Sequence, residues 1–260
     1  MQQKVFLPGK QDLTKLVGLI LYALSLLVLL TASGVTSATV QMQGTRIIYD
    51  GARPGTLLKF SNPDDFPSII QIWVDSGTEN AGPEKVAGPF LLSPPVFRID
   101  PNNDQTVRMT YTGQGVIDLP LDRESLFYLN FSIHPALPGN SQDKNYVALV
   151  IRQRLKLFYR PAQVKATSSD IPSSLKATLV SGPGGKKQLQ INNSSPLHAN
   201  LAAVELVRAG KASPLSEEVM IPPVTSHTWS YEGKASADDK VKVTLITDYG
   251  NIVEIELPLG

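Results

Sequence analysis

From residue 45 onward the apolar residues recur at nearly every second position. The runs TRIIYD (45–50), TLLKFSN (56–62), SIIQIWVD (68–75), TVRMTYTG (106–113), LFYLNFSIH (126–134) and NYVALVIRQRLKLFYRP (145–161) all share this period. A period of two places alternate side chains on opposite faces of an extended chain, which is the pattern of a half-buried strand. No segment beyond residue 38 holds a period of 3.6 over three turns, so long helices are not expected there. Between the runs lie DGARPG, NPDDFP, SGTENAGPEK, PNND and HPALPGNSQ, clusters built from residues that favour turns. Short strands at such spacing predict a sandwich or a barrel.

A second set of strands follows a change in composition. AQVKATSSDIPSS (162–174) is polar and aperiodic and reads as a linker. Beyond it come KATLVS (176–181), KQLQINN (187–193), ANLAAVELVR (199–208), EEVMI (217–221), KVKVTLITD (240–248) and NIVEIELP (251–258). Asp248-Tyr249-Gly250-Asn251 reads as a hairpin with Gly250 in the left-handed region. SGPGGKK reads as another tight turn. It is not a phosphate loop, because that pattern needs Gly at 180 and Ser or Thr at 187, where this chain has Val and Lys. The expected fold class is therefore all-β, two sandwich domains in series, over 39–161 and 175–260.

Residues 1–38 have a different character. Lys4, Lys10 and Lys15 precede an apolar run from Val17 to Leu30, and small residues follow. That layout predicts a secretory signal peptide with cleavage after Ala38, Thr36 and Ala38 being the small residues read by the peptidase. The apolar run is shorter than the ~20 residues a spanning helix needs, which disfavours an uncleaved anchor. Taking Lys4, Lys10, Lys15 and Asp12 away from 24 basic and 23 acidic residues leaves a net charge of −1. Such a balance argues against a broad basic surface for nucleic acid. An exported chain with no cysteine must rely on ordinary cores rather than disulfides.

The same inventory removes much chemistry. Without cysteine there is no thiolate metal site, iron–sulfur cluster or cysteine nucleophile. His134, His198 and His227 match no metal spacing, and there is no G-x-S-x-G. The adjacent acids Asp64-Asp65 and Asp238-Asp239 read as solvated turns. Asn130-Phe-Ser132 and Asn193-Ser-Ser195 match the glycosylation sequon, a pattern common by chance. No enzyme, cofactor or metal is expected.

The informative stretch is 121–161. LDRESLFYLN places Asp, Arg and Glu just before an apolar strand, and the following long strand carries Arg152, Arg154, Lys156 and Arg160 in an apolar frame. Edge strands often carry such cations simply to discourage aggregation.

TRIIYDG (45–51), Asn62, QIW (71–73), GPFLLSPPVFRIDP (88–101), LPLDRESLFYLN (119–130), RLKLFYRP (154–161) and ITDYGN (246–251) together resemble the PapD-like periplasmic pilus chaperones of Gram-negative bacteria. The match keeps family order across nearly the whole chain after the leader. The resemblance implies two immunoglobulin-like domains set at an angle, with a cleft between them. It implies a non-enzymatic protein that lends an edge strand to pilus subunits lacking one of their own, and delivers them to an outer-membrane usher. The lent strand maps to 145–155, with Val147, Leu149 and Ile151 filling the subunit groove. Each such side chain would contribute about 1.5–3 kcal/mol before ordering costs.

Arg46 and Lys156 map to a pair that clamps the subunit's terminal carboxylate. Strict alternation sets Lys156 on the face opposite Val147, Leu149 and Ile151, so a bulge or strong twist near Gln153 is expected. Glu124, Arg160 and Asp248 map to an ion network joining the domains. The short loop 134–145 looks like the branch of the family associated with rod-like pili. The resemblance also leaves room for self-association of the free protein. The competing reading is an exported adhesive or structural sandwich protein, which would share the leader and strands but need no paired Arg46 and Lys156.

Overall fold

The computed structural model describes residues 18–22, 39–77, 82–83, 88–114, 118–136, 147, 149–231 and 239–260. The chain divides into Met1–Ala38 and Thr39–Gly260. Residues 18–22 are helical; the rest of the leader, including the cleavage position, lies outside the described residues. Among the described residues no helix is long and apolar enough to cross a membrane.

Thr39–Gly260 is built from strands in two sandwiches. The first contains β1 (Gln41–Met42), β2 (Arg46–Asp50), β3 (Thr56–Asn62), β4 (Ser68–Asp75), β5 (Phe90–Ser93), β6 (Val96–Ile99), β7 (Asn103–Tyr111), β8 (Ser125–Pro135) and β9 (Ile151–Arg160). They form one sheet in the order β1-β3-β7-β5 and another in the order β2-β9-β8-β4-β6. The first strand of the domain therefore changes sheets. β1 pairs with β3, the chain turns through Gly44 at φ +95°, and β2 then pairs in parallel with β9. The second sandwich contains β10 (Leu175–Ser181), β11 (Lys187–Asn193), β12 (Ala199–Arg208), β13 (Lys211–Ile221), β14 (Thr225–Ser230), β15 (Lys240–Ile246) and β16 (Ile252–Pro258). Its sheets are β10-β11-β14 and β13-β12-β15-β16.

Each sandwich has its own core, assembled from the inward half of the alternating residues. Ile70, Ile72 and Val74 of β4 meet Phe127, Leu129, Phe131 and Ile133 of β8, together with Phe60 and Val107 from the facing sheet. Phe60 sits edge-on to Phe131 with ring centres 5.3 Å apart, an arrangement aromatic quadrupoles favour. In the second core Leu189, Ile191, Leu201, Val243 and Leu245 are buried. Segment 162–174 passes between the sandwiches. It carries a 3-10 turn at Ser168–Asp170 and a helical turn at Ile171–Ser174. Ile171 is buried in the second core.

One device is repeated in both halves. The Asn62 side-chain amide donates to the carbonyls of Phe66, Ile99 and Asp100, while its carbonyl accepts from Asp64 N–H. Asn193 does the same for Leu197, Ile221, Pro222 and Ser195. Both sit at the end of the equivalent strand and are buried. A single amide thus satisfies backbone carbonyls that a chain reversal would otherwise leave unpaired.

Some expectations change. The long run 145–161 pairs only from Ile151 onward among the described residues, and Val147, Leu149 and Val150 lie outside any strand. TSHTWS, which has no apolar alternation, is nevertheless a strand because β11 supplies a complete register for it. EEVMI is the end of the longer β13, whose polar first half is held by pairing with β12 across a bulge at Val204/Glu205. Both sequon asparagines are buried: Asn130 donates to Asp75 and Asn193 to the carbonyls above. Asp239 is buried as well, accepting the Tyr231 hydroxyl at 2.8 Å rather than facing solvent. The loop 134–145 falls almost wholly outside the described residues.

Candidate functional site

β9 has two different faces. Ile151, Leu155, Leu157 and Tyr159 pack into the first core. The alternate residues Arg152, Arg154, Lys156, Phe158 and Arg160 point to the outer face, and its lower half meets the second sandwich. Phe158 packs against His198 with ring centres 5.1 Å apart and planes tilted by 45°, and Lys156 Nζ donates to Asn200 Oδ1 at 3.3 Å. The β8–β9 register runs unbroken from Ile133↔Ile151 to Ser125↔Tyr159, with Gln153 opposite Phe131. There is no bulge at Gln153. Lys156 lies on the face opposite Ile151 because that face is the one turned toward the second sandwich.

The edges of β9 differ along its length. β8 covers one edge throughout. On the other edge β2 covers only Lys156–Arg160, beginning with the pair Arg46↔Lys156. From Ile151 to Leu155 that edge has no strand beside it among the described residues. A row of unpaired backbone groups thus ends abruptly where β2 starts, and two cations stand at that boundary.

Among the described residues no carboxylate ion-pairs with Arg46 or Lys156. Arg46 Nη1 reaches only the Ile246 carbonyl, at 3.5 Å, and its Nε is buried without a hydrogen-bond partner. Burial lowers the Arg46 pKa, opposed by the charge of Asp248. Burial also lowers the Lys156 pKa, aided by the positive charge of Arg46 and opposed by Glu218. Two adjacent half-buried cations of this kind have the donors to receive an anion with at least two oxygens.

A few residues away the charges are fully matched. Glu124 Oε1 accepts from Arg160 Nε at 2.9 Å and Nη2 at 2.7 Å. Arg160 also donates to both oxygens of Asp248, each at 3.1 Å. Glu124 Oε2 accepts from the His198 backbone N–H at 2.9 Å and lies 3.1 Å from His198 Nδ1. Burial works against the ionised Glu124, yet the bonds from His198 and the charge of Arg160 hold its pKa below the usual carboxylate value. Glu124 and Arg160 belong to the first sandwich, His198 and Asp248 to the second, so this cluster ties the two together.

The three groove-filling candidates separate. Val147 is 99% exposed and Leu149 71% exposed, whereas Ile151 packs against the first core. Sequence reasoning missed His198, Asn200 and Phe158. Their only signal was a lone histidine near a predicted strand, and an apolar residue on the face opposite to the core. It also missed how Arg154 is spent: its Nη2 pairs with buried Asp75 at 2.8 Å while its guanidinium lies 3.7 Å over the Tyr128 ring. No group of histidine and acidic residues among the described ones could hold a metal.

Residues 39–165 match the family of pili and flagellar-assembly chaperones through its PapD N-terminal domain, and residues 170–257 match the pili assembly chaperone PapD C-terminal domain. The probable fimbrial chaperone YadV of Escherichia coli K12 is 32% identical over 236 residues, covering 89% of this chain and 94% of its own. The chaperone protein HifB of Haemophilus influenzae is 34% identical over 217 residues, covering 82% of this chain and 85% of its own. The crystal structure of YadV superimposes with a TM-score of 0.69 over 85% of this chain and 100% of that one. The Salmonella enterica SafB chaperone, solved in complex with the SafA pilin, superimposes with a TM-score of 0.66 at 27% identity over 87% of this chain and 99% of that one. The two sandwiches, their order and their sequence together show that this chain belongs to the PapD family of pilus-assembly chaperones.

Proposed function

We propose that this protein works in the periplasm, where it holds pilus subunits by lending them β9 and passes them to an outer-membrane usher. The observation that carries the reading is the half-open edge of β9, closed at Arg46↔Lys156 by a parallel strand. A guest strand added to the open edge in line with β2 would run parallel to β9. Its carboxyl end would then arrive at the two cations. A terminal carboxylate supplies two oxygens for them, and the position of that carboxylate sets the register of the added strand. The exposed Val147 and Leu149, just before β9, would extend into a subunit that lacks a strand and cover its apolar groove. Ile151 would mark where the lent segment re-enters its own sandwich. The network of Glu124, Arg160 and Asp248 would fix the angle at which the second sandwich stands beside the clamp. The SafB–SafA complex shows that a relative of this fold binds a pilin.

The test is co-expression with a pilus subunit that is insoluble alone. A soluble one-to-one complex is expected, and Arg46→Ala or Lys156→Ala should abolish it while the circular dichroism spectrum is unchanged. Retained complex in both variants would reject the clamp. An exported structural sandwich would give no such complex at all. Size-exclusion of the free protein shows whether a second copy occupies the open edge in the meantime.

A further inference from the structure

The sheet of the second sandwich that touches Lys156 is deformed at one place. Leu201 of β12 pairs with Val219 of β13, and Ala203 pairs with Glu217, but no pair joins Ala202 to Glu218 between them. The ladder on the other side of β12 shifts register at the same point, between Leu201 and Ala203. Glu218 takes a φ of +47°, in the left-handed region that a residue with a Cβ seldom occupies. It does so inside a strand and not in a turn. Irregularities of this kind re-aim a side chain, and they gather at binding sites.

The side chain at the deformed position is a carboxylate, and it lies close to the clamp. Lys156 Nζ donates to Asn200 Oδ1, and Asn200 stands opposite Met220 in the β12–β13 register. Met220 is two residues from Glu218, about 6.6–7 Å along the strand, and opposed residues stand about 5 Å apart across a ladder. Glu218 is thus within electrostatic reach of the clamp, and its charge favours the protonated Lys156. It is exposed, and no cation among the described residues ion-pairs with it. Asp248 acts in the same sense on Arg46, but both its oxygens already accept from Arg160. Glu218 is therefore the carboxylate beside the clamp that the ion network does not use.

We infer that Glu218 makes the clamp selective by charge: it shifts the preference of Arg46 and Lys156 away from doubly charged anions such as sulfate and toward the singly charged carboxylate that ends a chain. This rests on the carboxylate clamp proposed above and adds a specificity to it. Two adjacent cations by themselves attract a dianion more than a monoanion, because the energy is proportional to the guest's charge. A fixed carboxylate nearby takes back part of that attraction, and it takes back twice as much from a dianion. The clamp can then receive the end of a chain in a solution that also holds free inorganic anions.

The probe is a synthetic dodecapeptide of alternating valine and threonine, ending in a free carboxylate and labelled at the amino end. Its binding to the mature full-length chain is read by fluorescence anisotropy, with sulfate as competitor at an ionic strength held constant with sodium chloride. Glu218→Gln keeps the shape of the side chain and deletes its charge. It should tighten peptide binding about two- to threefold, the range of a single exposed charge. It should tighten sulfate binding about four- to ninefold, the square of the peptide factor, because the guest's charge is doubled. Glu218→Asp keeps the charge and should behave as the wild type. An equal factor for peptide and sulfate, no change for either, or no competition by sulfate in Glu218→Gln overturns the role of Glu218 and leaves the clamp standing. A peptide with an amidated end tests the clamp separately. If it binds the wild-type chain as tightly as the free acid does, the clamp falls and this inference falls with it.

Discussion

Arg46 and Lys156 are partners in the parallel β2–β9 register, so two like charges face one another at the point where the free edge of β9 ends. Like charges in such a position raise the cost of each other's burial. Burial lowers the pKa of both groups, and the charge of Arg46 lowers that of Lys156 further. Under the proposed clamp, an arrangement unfavourable for the free protein becomes favourable when a carboxylate binds.

Removing one of these cations should therefore stabilise the free chain. Lys156→Met keeps the stem that packs in the crevice and deletes the charge. A gain of about 0.5–1 kcal/mol, or about 1–4 °C in melting temperature, is expected from the relief of an unpaired, desolvated charge. Thermal melts of the free protein check this. A clear loss of stability would mean that Lys156 already has a favourable partner.

The clamp should weaken in alkali. The Lys156 pKa is lowered from 10.5, so its charge disappears at a pH below that of an ordinary lysine. The cost of burying its charge is fully present below the folded-state pKa and is relieved as the pH rises through it, so the free protein gains stability in that window. Carboxylate affinity moves the other way and falls through the same window. Lys156→Arg should carry that fall to higher pH. Measuring affinity for a peptide with a free carboxylate across this range distinguishes the two variants.

The Glu124–Arg160 contact should matter to stability more than any surface pair. Arg160→Met leaves the buried Glu124 carboxylate without its guanidinium and should cost about 3–5 kcal/mol. Glu124→Gln should cost less, because an amide can still accept from His198. The Glu124 pKa is depressed in the folded state. Its contribution is thus present above the ordinary carboxylate value of 4.5 and is lost as pH falls through the folded-state value. The stability difference between wild type and Glu124→Gln should accordingly narrow in acid, as read by urea denaturation at several pH values.

Leu149 and Ile151 should respond differently to the same change. Leu149→Glu places a charge on an exposed side chain and should leave the melting temperature within about 1–2 °C while abolishing subunit capture. Ile151→Glu pushes a charge against the first core and should destabilise by about 2 kcal/mol or more. Equal melting temperatures for the two variants would place Ile151 outside the core.

Asn62→Ala and Asn193→Ala should be comparably harmful. Each removes one amide that serves three carbonyls. Each should cost about 2–4 kcal/mol, since buried acceptors lose their donor. Denaturant titration of both variants tests whether the two sandwiches use the device equally.

Alternation and turn composition were enough to read an all-β chain in two halves, because a period of two determines which residues can share a buried face whatever the partner strand is. The resemblance to the pilus chaperones, carried by short motifs in order along the chain, was what singled out Arg46, Lys156, Glu124, Arg160 and Asp248. Tertiary structure alone decided which of them meet. Arg46 and Lys156 are 110 positions apart in the sequence and become neighbours only because the first strand changes sheets after Gly44 and pairs in parallel with β9. It also decided that Lys156 needs no bulge to reach the junction, that Arg154 is consumed by Asp75 while Arg152 is not, and that His198 closes the Glu124 cluster. Periodicity reports on which side of a strand a residue lies; it carries no information about what the rest of the chain brings to that side.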